Sequence, residues 1–394
     1  MKKIVSFLLA LVLIVCLIPS AMAATPEQTG AADTLYAMGL FKGTGMNPDG
    51  TPVYALDNIP TRNQAIIMLV RLLGKENEAL EGDWEIPFTD VADSMRPYVG
   101  YAYTHGLTNG TSATTYSGAN PIRANQYITF VLRALGYASE TDFTVGDACA
   151  FSDEIGLTDG QYSAESAFTR GDVAAISASA LDMCLKGTKE TLLTKLVFEG
   201  SIQTNNFVKK TAGDAMQVST SYPNENTGSY YPQWDYCTID FNKPIDKAKY
   251  PTAYLYNLTE GTVQKLKTQR GISAYQCLLV LFDGKLKLDH EYCIYIPANT
   301  IYSESGDAYS SPVLMGFKTA ENVVRINLGN RAKYLSRIAV LEGTDGSVYQ
   351  ARVNNGTPPL TFVDVAPGEY TLHIQGEVIG TLKVGTTKMQ NISF

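Results

Sequence analysis

Apolar residues recur at helical spacing from Thr61 to Gly74. Ile66, Ile67, Leu69, Val70, Leu72 and Leu73 cover more than half the circumference of a helix, so this helix needs neighbours on several sides. Both of its ends are written in. Thr61 is placed to cap the first turn and Gln64 to reach back to it, while Gly74 supplies the left-handed residue that commonly ends a helix. The pattern then returns. Asn125-Gln126 and Arg133-Ala134-Leu135-Gly136 repeat the offsets of Asn63-Gln64 and Arg71-Leu72-Leu73-Gly74, and a more worn copy begins Phe168-Thr169-Arg170-Gly171-Asp172. Ahead of each capped helix the pattern predicts a first helix, a Gly-Leu pair and a glycine-bearing loop that reaches an aromatic. The pairs are Gly39-Leu40, Gly106-Leu107 and Gly156-Leu157; the loops run from Gly43 to Tyr54, Gly110 to Tyr116 and Gly160 to Tyr162. Phe88-Thr89-Asp90-Val91 and Phe151-Ser152-Asp153 open the second and third units, and each Asp is expected to cap the helix that follows. Helical hairpins that each expose an apolar face must stack to bury it.

Beyond residue 185 the pattern changes. Residues 191–198 read as a short amphipathic piece and 199–215 as a polar connector. From about 216 the period is two: 237–241 and 292–296 alternate inward and outward residues, and 278–282 is a continuous apolar strand. Turn signals at Asn242-Lys243-Pro244 and Asp283-Gly284 separate them, which suggests a β-sandwich over 216–320. Residues 321–394 are strand-rich again, with a Pro367-Gly368 turn ahead of an alternating strand. The predicted fold class is therefore multidomain, α then β. An all-α trio covers 25–185 (about 25–75, 86–138 and 147–185), 186–215 links it, and a sandwich and a small all-β domain follow.

Composition narrows the function classes. The chain has 394 residues, 45% hydrophobic and 18% charged, with a formal charge of −8. Such a composition is globular, and an acidic chain without basic runs argues against nucleic acid as a partner. Residues 1–23 read as a signal peptide: Lys2 and Lys3, an apolar run, then Ala21-Met22-Ala23 as the cleavage site. Removing them leaves a charge of about −10 and no stretch able to span a bilayer. Five cysteines remain, an odd number without C-x-x-C spacing, so free buried thiols are expected rather than a disulfide framework or zinc site. One bridge within 237–293 stays open. His105, His290 and His373 fall in three separate segments, and no nucleophile elbow or phosphate loop is present. His105 is expected to cap a helix end, and Arg71 and Arg133 to be structural. No cofactor, metal or catalytic residue is expected.

These repeats resemble the S-layer homology (SLH) family, which tethers bacterial surface proteins to the cell wall. The resemblance rests on Phe88-Thr89-Asp90-Val91, Gly106-Leu107-Thr108-Asn109-Gly110, Tyr116, Arg133-Ala134-Leu135-Gly136, and the Thr-Arg pairs Thr61-Arg62 and Thr169-Arg170. Arg123 and Ala124 stand where the family has Thr and Arg, and its glutamate is Gln64, Gln126 and Asp172 here. The β region is similar to bacterial Ig-like domains, and 321–394 to small prealbumin-like domains. The resemblance implies a secreted, non-enzymatic protein of the cell wall and surface. It would bind an anionic, peptidoglycan-linked wall glycopolymer, with other surface proteins as further partners. Its binding residues would be Arg62, Arg170, Asp90, Asp153, Gly43 and Gly110, with Arg123 standing in for the arginine missing from the second unit. Two alternatives stay open. In one, degenerate repeats no longer bind the wall and the β region contacts a protein or host glycan. In the other, the chain is a wall polysaccharide hydrolase.

Overall fold

A computed structural model describes residues 23–204, 216–223, 229–231, 235–272, 274–284, 286–309, 311–355 and 358–394. Residues 1–22 of the expected signal peptide, and 205–215 of the expected 199–215 connector, lie outside the described residues. Helices come first and strands after, as the change of period predicts. The chain forms two compact units, the first reaching Lys189 and the second running from Glu190 to Phe394; Tyr36–Leu40 and Asn47–Thr51 group with the second.

In the first unit, α1 (Pro26–Ala37) precedes a short hairpin of β1 (Gly45–Met46) and β2 (Pro52–Val53). Helices α2 (Arg62–Leu72), α3 (Glu76–Glu81), α4 (Arg96–Thr104), α5 (Ala124–Ala134), α6 (Ala148–Glu154) and α7 (Arg170–Asp182) follow. The expected caps form. The Thr61 hydroxyl accepts from the Gln64 N–H while the Gln64 side chain accepts from the Thr61 N–H, and Thr169 and Asp172 do the same for α7. In α5 only the Gln126 half of this exchange is present, because Arg123 has no acceptor to offer. Gly74 and Gly136 take positive φ just past their helices.

Helices α2, α5 and α7 each pack against the other two, and their apolar faces make the core, with Ile66, Leu69, Tyr127, Phe130, Val131 and Ile176 almost wholly buried. The predicted first helices lie on the outside. Helix α4 packs on α2 and α6 on α5, while Gln28 of α1 donates to Asp172 of α7 at 2.8 Å. Helices α4 and α6 thus each pack on the capped helix that precedes them in the chain, and α1 meets α7 through the Gln28–Asp172 bond.

The Asp capping expectation is not met. Phe151 and Asp153 lie inside α6, and Asp153 accepts from the Thr158 hydroxyl at 2.6 Å and the Gly160 N–H at 2.8 Å. The Asp90 carboxylate accepts from the backbone N–H groups of Tyr116 and Ser117, far along the chain, and caps no helix. A carboxylate goes where backbone donors are orphaned, and here those donors sit in the loops.

The second unit opens with α8 (Leu192–Phe198), capped by Thr191. Eight strands then form one continuous hydrogen-bonded array: β3 (Val218–Tyr222), β4 (Ser229–Tyr230), β5 (Tyr236–Phe241), β6 (Ala253–Asn257), β7 (Thr262–Arg270), β8 (Cys277–Leu281), β9 (Glu291–Ile296) and β10 (Val313–Thr319), in the order 3-5-8-7-6-9-10-4. The long β7 joins the two halves: Thr262 to Leu266 pair with β6, and Lys267 to Arg270 with β8. The enclosed core includes Ile239, Phe241, Leu278, Val280, Ile294 and Met315. Strand β5 alternates as its sequence predicts, but β9 is buried on both faces; on its second face Tyr295 packs by the Tyr254 ring at 6.1 Å and Cys293 lies opposite Tyr256. Strand β8, read as fully buried, leaves Leu279 and Leu281 part-exposed.

The C-terminal strands β11 (Val323–Asn327), β12 (Ile338–Gly343), β13 (Val348–Arg352), β14 (Leu360–Val363), β15 (Gly368–Ile374), β16 (Glu377–Val384) and β17 (Met389–Ser393) make a three-stranded sheet, 14-11-17, and a four-stranded one, 13-12-15-16. Their shared core includes Val324, Leu341, Phe362 and Leu372. Tyr370 closes the predicted Pro-Gly turn by donating to the Ala366 carbonyl at 2.8 Å. The five described cysteines are free thiols; Cys149, Cys237, Cys277 and Cys293 are buried and Cys184 is exposed.

Candidate functional site

The capped helices begin against loops of other segments. At the start of α2, the Arg62 N–H donates to the Asn120 carbonyl and the Asn63 N–H to the Gly118 carbonyl, each at 2.9 Å. At the start of α7, the Arg170 and Gly171 N–H groups donate to Asn58 and Leu56 at the same distance. The first free amides of a helix are thereby satisfied by a neighbour's loop, and the first side chain of the helix is carried into the seam.

That side chain is arginine in both cases. Arg62 is 6% exposed and Arg170 8%. The Arg62 guanidinium donates to the Thr108 hydroxyl at 3.2 Å and lies 5.0 Å over the Tyr116 ring and 4.8 Å over Phe130. Arg170 donates from Nε to the Tyr54 carbonyl at 3.0 Å, approaches Met68 Sδ, and lies 5.5 Å over Phe41. The two surroundings correspond by sequence offset: Phe41 and Thr108 each stand two residues past the Gly-Leu glycine, and Met68 and Phe130 each lie in the middle of a capped helix. Burial lowers the pKa of both guanidiniums from the ordinary value, and for Arg170 the charge of Arg71 adds to it. Cation–π attraction of about 1–2 kcal/mol per desolvated pair offsets part of that cost. The Nε of Arg62 is buried without a hydrogen-bond partner.

Gly110 turns the loop below Arg62 with φ +75°, and a Cβ there would lie 2.4 Å from the Phe88 ring. Gly43 takes the corresponding place below Arg170, where a Cβ would lie 2.8 Å from the Val53 carbonyl oxygen. Asp90 holds the aromatic end of the second loop through the Tyr116 and Ser117 amides at 2.7 and 2.8 Å. The Tyr116 amide, the stronger influence, and that of Ser117 hold its carboxyl below the usual range.

The third seam differs. Ala124, fully buried, is the first residue of α5. Arg123 sits one residue earlier, outside the seam; its side chain is 63% exposed and reaches Glu165 at 3.8 Å. Asp153, inside α6, is tied to Thr158 and Gly160 of the loop that follows that helix. Arg62 is thus brought together with Gly110 and Asp90, and Arg170 with Gly43, while Arg123 and Asp153 join neither pair. Thr108, Phe130, Phe41 and Met68 were not anticipated as partners. Tyr54, Tyr116 and Tyr162 each precede the first residue of a capped helix by eight positions, a spacing that marks where the loops meet the helices but not these four partners.

Arg71 and Arg133, expected to be structural, are both engaged with protein partners. Arg71 binds Glu76 through Nε at 2.8 Å and Nη2 at 2.7 Å, and Arg133 donates to Ser139 and to the Leu107 carbonyl. His105 is the C-cap of α4, its Nδ1 2.8 Å from the Tyr101 carbonyl. Among the described residues no cluster of His, Cys, Asp or Glu is arranged to hold a metal, and no helix is long and apolar enough to cross a membrane.

The S-layer homology domain family matches residues 87–123, the stretch that carries Asp90, Thr108, Gly110 and Tyr116. The "Middle cell wall protein" of Brevibacillus brevis is 27% identical over 221 residues, 50% of this chain and 20% of that protein. The "Cell surface protein" of Thermoanaerobacter kivui is 28% identical over 196 residues, 46% of this chain and 25% of its own length. The "Surface layer protein" of Brevibacillus choshinensis is 29% identical over 148 residues, 35% of this chain and 13% of that protein. The chain therefore spans a quarter or less of these relatives. It carries an S-layer homology domain, and its place is the bacterial cell surface.

Proposed function

We propose that this chain is a non-catalytic surface protein anchored to an anionic, peptidoglycan-linked wall glycopolymer by three SLH-type repeats at 25–75, 86–138 and 147–185. An Ig-like domain at 216–320 and a small β-domain at 321–394 serve as the displayed part, with other surface proteins as further partners. The observation that carries this reading is the recurrent seam: a helix-leading arginine set on another repeat's glycine loop and aromatic, at both Arg62 and Arg170. Helix N-termini and arginine forks favour carboxylates, and Gly110 and Gly43 let the loops pack tightly beneath the arginines, against Phe88 and the Val53 carbonyl. Arg62, Arg170, Asp90, Gly43 and Gly110 form two such grooves. Asp153 and Arg123 flank a third in which Ala124 supplies no charge.

The test is co-sedimentation of the mature chain with purified cell walls, before and after mild acid removes the secondary polymer. Pelleting with intact walls only, lost in a chain that begins at Glu190, is the expected result. Arg62→Lys/Arg170→Lys keeps both charges but loses the forks, and should weaken retention at least tenfold while the circular dichroism spectrum stays folded. Retention unchanged in that variant would remove the arginines from the site.

A second reading is favoured by the burial of the arginines. A guanidinium already spent on Thr108, Tyr116 and Phe130 acts as a pin between repeats, and degenerate repeats would then be a scaffold whose β region binds a protein or host glycan. Under this reading neither intact nor stripped walls pellet the chain. A wall hydrolase would instead release soluble sugar from the same walls.

A further inference from the structure

Within the second unit, an open cleft of about 540 Å³ lies between the eight-stranded array and the C-terminal sheets. Tyr222, Tyr231 and Tyr236 line it from the first, and Gln350, Arg352 and Asn354 from the second. The volume is that of a small-molecule or short-oligosaccharide site.

The tyrosines are built into place. Tyr222 ends β3 and is 54% exposed, yet its ring meets Tyr230 edge-on at 5.5 Å. Tyr230 is 1% exposed and donates its hydroxyl to the Tyr236 carbonyl at 3.0 Å. Tyr230 thus backs the Tyr222 ring and ties the Tyr236 backbone, while Tyr231 and Tyr236 are part-exposed along the same cleft. Such rings stack on the C–H faces of sugars while their hydroxyls, with amide side chains nearby, match sugar hydroxyls.

Charge selects among sugars. Arg352, at the end of β13, is the one charged residue among the described lining residues. One of its nitrogens is anchored to the Ser336 carbonyl at 3.1 Å, which fixes the plane of the fork. In a chain of net charge −8, an arginine lining the cleft favours an anion, and a planar fork suits a carboxylate.

We propose that this cleft is a carbohydrate-binding site for a short oligosaccharide bearing a carboxylate, independent of the repeat grooves. Tyr222, Tyr231 and Tyr236 supply stacking, Gln350 and Asn354 meet hydroxyls, and Arg352 meets the acid. The test titrates the mature full chain, by calorimetry, with tetrasaccharides containing glucuronic acid or sialic acid and with their carboxyl-reduced counterparts. At least one acidic probe should bind at least tenfold more tightly than its reduced form. R352Q should abolish that preference but keep binding of the reduced sugar, and Y222A should weaken both forms at least fivefold. Both residues are surface-exposed, and thermal melting checks that the variants fold. R62K/R170K should bind the probes as the parent does, so failure of the wall-anchoring reading leaves this result intact. Absence of binding by every probe at millimolar concentration, equal binding of acidic and reduced forms, or tighter binding of an acidic peptide than of any sugar would overturn the proposal.

Discussion

Glu76 joins three stretches of the first unit. Its carboxylate takes hydrogen bonds from Arg71 Nε at 2.8 Å, Lys42 Nζ at 2.5 Å and the Tyr98 hydroxyl at 2.9 Å. Burial by itself would raise its pKa, but these three donors outweigh burial and hold it at about 2. An unfolded glutamate titrates at about 4.3, so the folded pKa is depressed. The stability this group adds is present above pH 4–5 and is lost as the pH falls toward 2. Allowing for solvent screening, we expect the urea stability of the parent to fall by about 1 kcal/mol more than that of E76Q between pH 6 and pH 3. Equal slopes would show that Glu76 is not coupled to folding. Neither this cluster nor the arginine seams were legible residue by residue, because Lys42, Glu76 and Tyr98 belong to different predicted elements. The arginines stood at recognisable helix starts, but their burial did not, since it depends on rings contributed by other segments.

Among elements, the capped helices were the most legible and the strands the least. Thr61-x-x-Gln64 and Thr169-x-x-Asp172 act within four residues, so their outcome depends little on what surrounds them. Strand β9 reads as alternating yet is buried on both faces, because side chains from distant positions, Tyr254 and Tyr256 among them, cover its second face. The loops between helices combine both kinds of control, and two glycines separate them. Gly106 and Gly110 both have positive φ, but a Cβ at Gly106 meets nothing within 4 Å, whereas at Gly110 it would strike the Phe88 ring and the Thr115 carbonyl oxygen at 2.7 Å. Gly106→Ala should cost about 1 kcal/mol for the left-handed backbone alone. Gly110→Ala should cost about 2–4 kcal/mol, because strain and overpacking combine. Urea denaturation of the two variants measures the difference; similar values would mean that the loop relaxes freely around Phe88.

For the molecule as a whole, the first unit and the two cores of the second should give at least two calorimetric transitions. Gly110→Ala should lower only the transition of the first unit. Acid-released wall polymer should raise that same transition in the parent protein, since a ligand stabilises the unit it binds. Polymer that moves no transition would count against the anchoring reading; one merged transition would mean that the units unfold together. The order of helices and strands, the helix caps and the S-layer homology resemblance were determined by the sequence, because each depends on residues close together along the chain or on a motif of fixed spacing. Which loop each arginine meets, that Ala124 leaves one seam uncharged with Arg123 outside it, and that tyrosines and an arginine from different sheets line one cleft were decided only by the tertiary structure. Those arrangements pair residues tens to more than a hundred positions apart, and no local rule relates positions that only the closing of the chain brings together.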